Sequence, residues 1–128
     1  MVDFDAYRLE QAEWLERELQ KKEFRKAKYK IVFSHIPLYY SGEGHGTLHC
    51  REVWGPMLNK AKIDVLISGH THKYGVHLPV EGQHNYPIII GGGPADTKRT
   101  IINVTADQKA LNLQMFDDSG KQVGALKI

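Results

Sequence analysis

Two short apolar runs in this chain each end in histidine: Ile31-Val32-Phe33-Ser34-His35 and Val65-Leu66-Ile67-Ser68-Gly69-His70-Thr71-His72. Runs of this length bounded by Pro or Gly read as buried strands, and the residues just past such a strand emerge at the sheet's edge. Between them, residues 49–60 read as a helix with Val53, Trp54, Met57, Leu58 and Ala61 on its apolar side. Pro56 in its middle predicts a short or kinked helix. Strand, helix and strand make a βαβ unit, so the two strands are parallel and the crossover right-handed. Parallel strands end on one edge, and His35 therefore converges there with His70 and His72.

The flanking segments extend this core. Residues 4–28 read as one helix, capped by Asp3 or Asp5, with Phe4, Tyr7, Ala12, Leu15 and Leu19 as its apolar stripe and Gln11 as a polar break. Lys21, Lys22, Arg25, Lys26 and Lys28 crowd its end, which suits the helix dipole and reads as a solvated face. A loop rich in Gly, Tyr and His follows the first strand, from Pro37 to about Leu48. From residue 74 the pattern changes to short strands at Tyr74–Val80, Pro87–Ile90, Arg99–Thr105, Ala110–Phe116 and Gln122–Ile128, separated by turn residues.

A chain of 128 residues is one domain or a piece of a larger one. Seventeen basic residues against fifteen acidic leave a net charge of +2, too small to argue for nucleic acid. No stretch approaches the ~18 apolar residues of a membrane span. Asp3 and Asp5 follow Met1 where a signal peptide would be apolar. Cys50 is alone, so neither an intrachain disulfide nor a Cys-based zinc site can form, and one cysteine favours no compartment.

His70 and His72 are two apart, so on extended backbone their rings point to one side with Cβ atoms roughly 7 Å apart. That spacing serves one metal held by two rings or two neighbouring metals with one ring each. His-x-His alone equally describes two histidines satisfied by backbone hydrogen bonds. Adding His35 at the matching strand end shifts the balance to ligation. His45 and His49, in or beside the glycine-rich loop, either reach a bound phosphate as donors or general acids or are ordinary loop histidines. His77 and His84 read as bystanders. Gly91-Gly92-Gly93-Pro94 lacks the Lys-Ser/Thr of a P-loop and the spacing of a dinucleotide fingerprint, and reads as a backbone turn near the site's rim. Ser34, Ser41 and Ser68 lack a nucleophile elbow.

At these residues the chain resembles the calcineurin-like metallophosphoesterase superfamily, in particular its purple acid phosphatase-like branch. The motifs are His35-Ile36-Pro37-Leu38-Tyr39 and Gly69-His70-Thr71-His72 followed by Lys73-Tyr74, with Arg51, Pro56-Met57-Leu58 and Ile63-Asp64-Val65-Leu66 between them. The match covers about residues 10–75. The resemblance implies an α/β fold: the C-terminal half of a four-layer αββα metallophosphoesterase sandwich, a mixed β-sheet with two helices. It implies hydrolysis of phosphate monoesters or diesters by a metal-bound hydroxide, with two divalent or trivalent ions (Fe, Zn or Mn) in the full-length parent. His35 and His70 would hold the second metal and His72 the first. Tyr39 and Tyr74 would line the substrate pocket, and His49, with His45, would approach the phosphate. Gly75-Val76 stands where that branch often has an acidic residue and arginine.

The superfamily's earlier motifs, Asp-x-His, Gly-Asp-x-x-Asp and Gly-Asn-His-Asp/Glu, occur nowhere in these residues. The expectation is therefore that residues 1–128 are the C-terminal part of a metallophosphoesterase domain whose N-terminal metal-binding half is absent. Three imidazoles without carboxylates cannot screen two close dications, so the chain alone should bind at most one metal weakly, Zn²⁺ or Ni²⁺ suiting imidazole, and be nearly inactive. The expected partners are a phosphate ester, the missing half, and a second copy of the chain through exposed sheet surface. The rival reading is a non-catalytic binding or interaction module that keeps the phosphoesterase fold.

Overall fold

The computed structural model of the protein describes residues 4–128. Strand β1 (Ile31–Ser34) pairs in parallel with β2 (Val65–Ser68), all four of whose residues are buried. Beyond β2 the sheet continues with β4 (Ile88–Ile90), also parallel, and closes with β3 (Gly75–His77), antiparallel to β4. The β1–β2 register pairs Ile31 with Val65 and Ser34 with Ser68, so the two strands end level. His35 and Gly69 then leave the sheet side by side, the Gly69 N–H donating to the His35 carbonyl at 3.0 Å.

Both faces of this sheet are covered. Leu66, Ile88 and Ile90 point to one side, where Leu38, Leu58, Ile63 and Tyr86 complete a core packed by Leu15, Leu19, Phe24 and Trp54. Those partners come from α1 (Phe4–Gln20), α2 (Lys22–Lys26) and α3 (Thr47–Ala61). Val65, Ile67 and Ile89 point to the other side, against Leu111, Leu113 and Met115 of a second sheet. That sheet is an antiparallel meander of β5 (Thr100–Ala106), β6 (Leu111–Asp117) and β7 (Gln122–Lys127). The fold is thus α/β in three layers, helix, mixed sheet and antiparallel sheet.

Several expectations are corrected. The predicted helix over 4–28 breaks at Lys21, whose backbone is extended. Continuing a helical period from Leu15 and Leu19 would bring Lys22, Glu23 and Lys26 onto the core face; the break changes the phase and lets Phe24 pack there instead. Asp5 lies in the first turn of α1, paired with Arg8 at 2.6 Å, while Asp3 lies outside the described residues. Helix α3 runs unbroken through Pro56, because Gly55 before it has no Cβ to clash with the proline ring. The strand predicted over 74–80 shrinks to β3, and Val80 pairs only with His84 in an isolated bridge. The last three strands form a sheet of their own.

Apolar surface is exposed at one edge of the four-stranded sheet as well as on β5. β1 borders the four-stranded sheet, and its Phe33 is 73% exposed. Beside it runs an apolar groove of about 950 Å³ lined by Trp14, Leu15, Phe24, Val32, Leu38 and Trp54 among others. Among the described residues no helix is long and apolar enough to cross a membrane.

Leu66 is fully buried between β1 and β4. Leu66→Ala should therefore cost about 2–5 kcal/mol in chemical denaturation, whereas Ile101→Ala, at a position 65% exposed, should stay within about 0.5 kcal/mol of the wild type.

Candidate metal centre

Level strand ends bring the first two predicted ligands together. The Nε2 of His35 lies 3.3 Å from the Nδ1 of His70, with the rings edge to face at 5.2 Å. Two nitrogens at about 2.05 Å from one ion at a tetrahedral angle sit about 3.3 Å apart, so the pair is spaced as two ligands of one metal. Without metal the same contact is a long N–H···N hydrogen bond.

His45 joins them from the loop before α3, its ring edge to face with His70 at 5.0 Å. The loop reaches this position through Gly46, whose left-handed backbone at φ 79° starts α3 and whose missing side chain leaves room for the Arg8 guanidinium. His49, one turn into α3, faces α1 instead, with Nδ1 3.6 Å from an Asp5 oxygen.

His70 and His72 follow β2 but are not extended. Their φ values are 71° and 60°, and His45 has φ 56°. A left-handed conformation at a residue with a Cβ costs of order 1–3 kcal/mol and persists where the surroundings enforce it, typically at functional sites. The expected side-by-side display of His70 and His72 gives way to a turn, in which the Thr71 N–H donates to the Gly69 carbonyl at 2.8 Å. His72 packs on the glycine loop after β4. A Cβ on Gly93 would stand 2.8 Å from the Cβ and Cγ of His72, so the loop predicted at the rim does lie there, and only glycine admits this approach. The loop is anchored in turn, the Gly91 N–H donating to the Ser68 carbonyl and the Gly92 N–H to the Thr100 hydroxyl, both at 2.8 Å.

Burial, and then the neighbouring His45, His35 and His72, lower the His70 pKa below the ordinary histidine value. His70 thus favours the neutral imidazole, the form that ligates metal. In donor chemistry and spacing His35 and His70 fit a metal ion, but as part of a ligand set. Among the described residues no three or more His, Cys, Asp or Glu side chains converge as a metal site.

Among the described residues, neither Tyr39 nor Tyr74 is hydrogen-bonded to His35, His70 or His72. The Tyr39 hydroxyl donates to the Gln83 carbonyl at 3.1 Å, and the Arg51 guanidinium covers its ring at 4.5 Å. Tyr74 is exposed just before β3. The residue sequence reasoning passed over is His84. Read as a turn bystander, it is 1% exposed and hydrogen-bonded at both ring nitrogens. Its only sequence signal is a histidine within an otherwise polar turn, Glu81-Gly82-Gln83, followed by Asn85-Tyr86.

Comparison with known proteins follows the same residues. The family model for calcineurin-like phosphoesterases matches residues 2–74. An acid phosphatase of Aspergillus ficuum is 40% identical over 65 residues, covering 51% of this chain and 11% of that protein. Purple acid phosphatase 22 of Arabidopsis thaliana is 34% identical over 75 residues, covering 57% of this chain and 17% of its own length. Among solved structures, the purple acid phosphatase PPD1 of yellow lupin superposes with a TM-score of 0.70 at 20% identity, over 93% of this chain and 28% of that one. The chain thus spans well under a third of each of these relatives.

Two outcomes test the centre. Gly93→Ala should move the His72 ring resonances, leave those of His35 in place, and destabilise the fold by about 1–3 kcal/mol. For His70 the folded pKa lies below the unfolded one, so the unfolded chain takes up the proton first. Stability should fall as pH drops below the ordinary value of 6.5, level off below the folded pKa, and fall less in a His70→Asn variant. Histidine NMR and denaturation across pH 4–8 would read both.

Proposed function

The chain belongs to the calcineurin-like phosphoesterase family, and on that footing we propose that it is the C-terminal, imidazole-bearing part of a purple acid phosphatase-like hydrolase of phosphate monoesters or diesters. The observation that carries this reading is the 3.3 Å approach of His35 to His70 at two level strand ends. In the complete enzyme His35 and His70 would hold one metal ion and His72 the other, the ions being divalent or trivalent Fe, Zn or Mn. Bound metal supplies Lewis-acid activation of water and neutralises charge on the phosphoryl group.

The chain's own residues have separable tasks. His35 and His70 present ring nitrogens from a rigid sheet edge. His72, braced on Gly93, presents its ring from the turn beyond. His45, beside His70, is better placed than His49 to donate a hydrogen bond to a phosphate oxygen or a proton to the leaving group. Tyr74, exposed two residues after His72 in the chain, is the remaining candidate for substrate contact.

Completion of the domain by further residues is part of the same reading. The match to only 11–17% of two curated relatives supports it, as do the open β1 edge, exposed Phe33 and the groove beside α1. An edge strand with unpaired backbone groups and an apolar flank is a template for another strand, contributed by the missing half or, in its absence, by a second copy of the chain.

The purified chain with zinc, iron or manganese should show little or no turnover of a chromogenic phosphate monoester. A longer polypeptide that carries this chain together with the aspartate-bearing motifs should show metal-dependent turnover, reduced by at least about 100-fold in His70→Ala. Full activity of the 128 residues alone, or undiminished turnover in the longer His70→Ala protein, would overturn the assignment.

A further inference from the structure

Three to nine residues past β3, the turn between Val80 and Tyr86 reaches back to the loop that carries His45. At its centre is His84, buried with Tyr39, Tyr40 and Tyr86 around it at ring-centroid distances of 5.1–5.6 Å. Its Nδ1 lies 2.7 Å from the Tyr86 carbonyl oxygen. A carbonyl only accepts, so Nδ1 carries the proton, and in the neutral ring Nε2 is left as an acceptor. The Tyr40 hydroxyl fills it, 2.8 Å away. Burial, and then Tyr39, raise the Tyr40 pKa, so this hydroxyl keeps its proton and donates.

Tyr40 is held on its other side as well. Its ring stacks on His77 of β3 with centroids 3.8 Å apart and planes within 9° of parallel. Its backbone is left-handed, at φ 69°, a conformation a tyrosine adopts only under constraint. The turn itself is rigidly mounted. Asn59 of α3 donates to the Gln83 carbonyl at 2.9 Å and accepts from the Asn85 N–H at 3.0 Å, and Asn85 donates back to the Asn59 carbonyl at 2.9 Å.

Tyr40 lies midway between His35 and His45 in the chain. Fixing it therefore sets where the loop carries His45. We propose that His84 and Tyr40 form a clasp that positions the 35–46 loop, so that His45 rests against His70. His84 is a positioning residue in this account: it acts through Tyr40 and touches neither substrate nor metal. The consequence for phosphate chemistry rests on the role given above to His45, while the clasp itself does not.

The experiment uses the isotopically labelled chain and its Tyr40→Phe and His84→Phe variants. Long-range imidazole NMR of the wild type should find His84 neutral with its proton on Nδ1. Tyr40→Phe keeps the stack on His77 and removes only the hydroxyl. It should shift the His45 ring resonances and speed amide exchange across residues 38–46 by about fivefold, the scale of one lost partly buried hydrogen bond, with β2 amides unchanged. His84→Phe should do the same if it folds, and Tyr40→Phe decides the matter if it does not. A His84 proton on Nε2, or a Tyr40→Phe variant with wild-type His45 resonances and loop exchange, would overturn the clasp. Adding Zn²⁺ to the same samples reads the metal assignment separately: shifts at His35 and His70 support it, and their absence overturns that assignment while leaving the clasp's own data to stand or fall alone.

Discussion

The parallel pairing of β1 with β2 is the constraint from which the rest of this molecule follows. β2 is sealed on both faces and hydrogen-bonded along both edges, so its register cannot slip without turning apolar side chains out of one core and into the other. A slip of one residue would separate His35 from Gly69 and dissolve the imidazole pair. The apolar alternation that stabilises the sheet is thus also what aligns the chemistry. The register sets His35 and Gly69 side by side, and the left-handed turn at His70 completes the 3.3 Å approach of the two rings.

Beyond the strand ends, order is maintained by close packing on small residues and by aromatic contacts. The left-handed backbones of Tyr40, His45, His70 and His72 cluster in this one region, and each is unfavourable in isolation. What offsets them is local: Gly93 beneath His72, Gly46 at the start of α3, and the stack of Tyr40 on His77. Such strain concentrates where side chains must be aimed rather than merely accommodated. The low pKa of His70 has the same origin, since burial among other imidazoles disfavours a further positive charge.

The site is rich in nitrogen ligands and poor in carboxylates. Imidazoles are neutral and leave the charge of a dication unscreened, so two ions close together require anionic ligands from elsewhere. The open β1 edge and its apolar groove lie on the same side of the molecule as His35 and His45, both of which border the groove. On the proposed reading, the surface that is apolar here and the ligands that are lacking here are supplied together by one further segment.

The sequence by itself determined the βαβ unit, the parallel order of its strands, and the gathering of His35 and His70. All of these follow from short apolar runs with histidine at their ends, a local pattern whose period survives any packing. The short strands of the C-terminal part were legible for the same reason, and their antiparallel pairing was settled by the fold. Tertiary structure decided what depends on contacts between distant segments. The helix over 4–28 breaks at Lys21 because Phe24 must reach a core that periodicity alone would deny it. His70 and His72 turn left-handed, and the glycine loop some twenty residues on packs against His72. His84 is buried among Tyr39, Tyr40 and Tyr86, and Tyr40, 44 residues earlier, meets its Nε2. Alternation along a strand is written residue by residue, whereas the partner of a buried polar atom exists only once the chain has closed on itself.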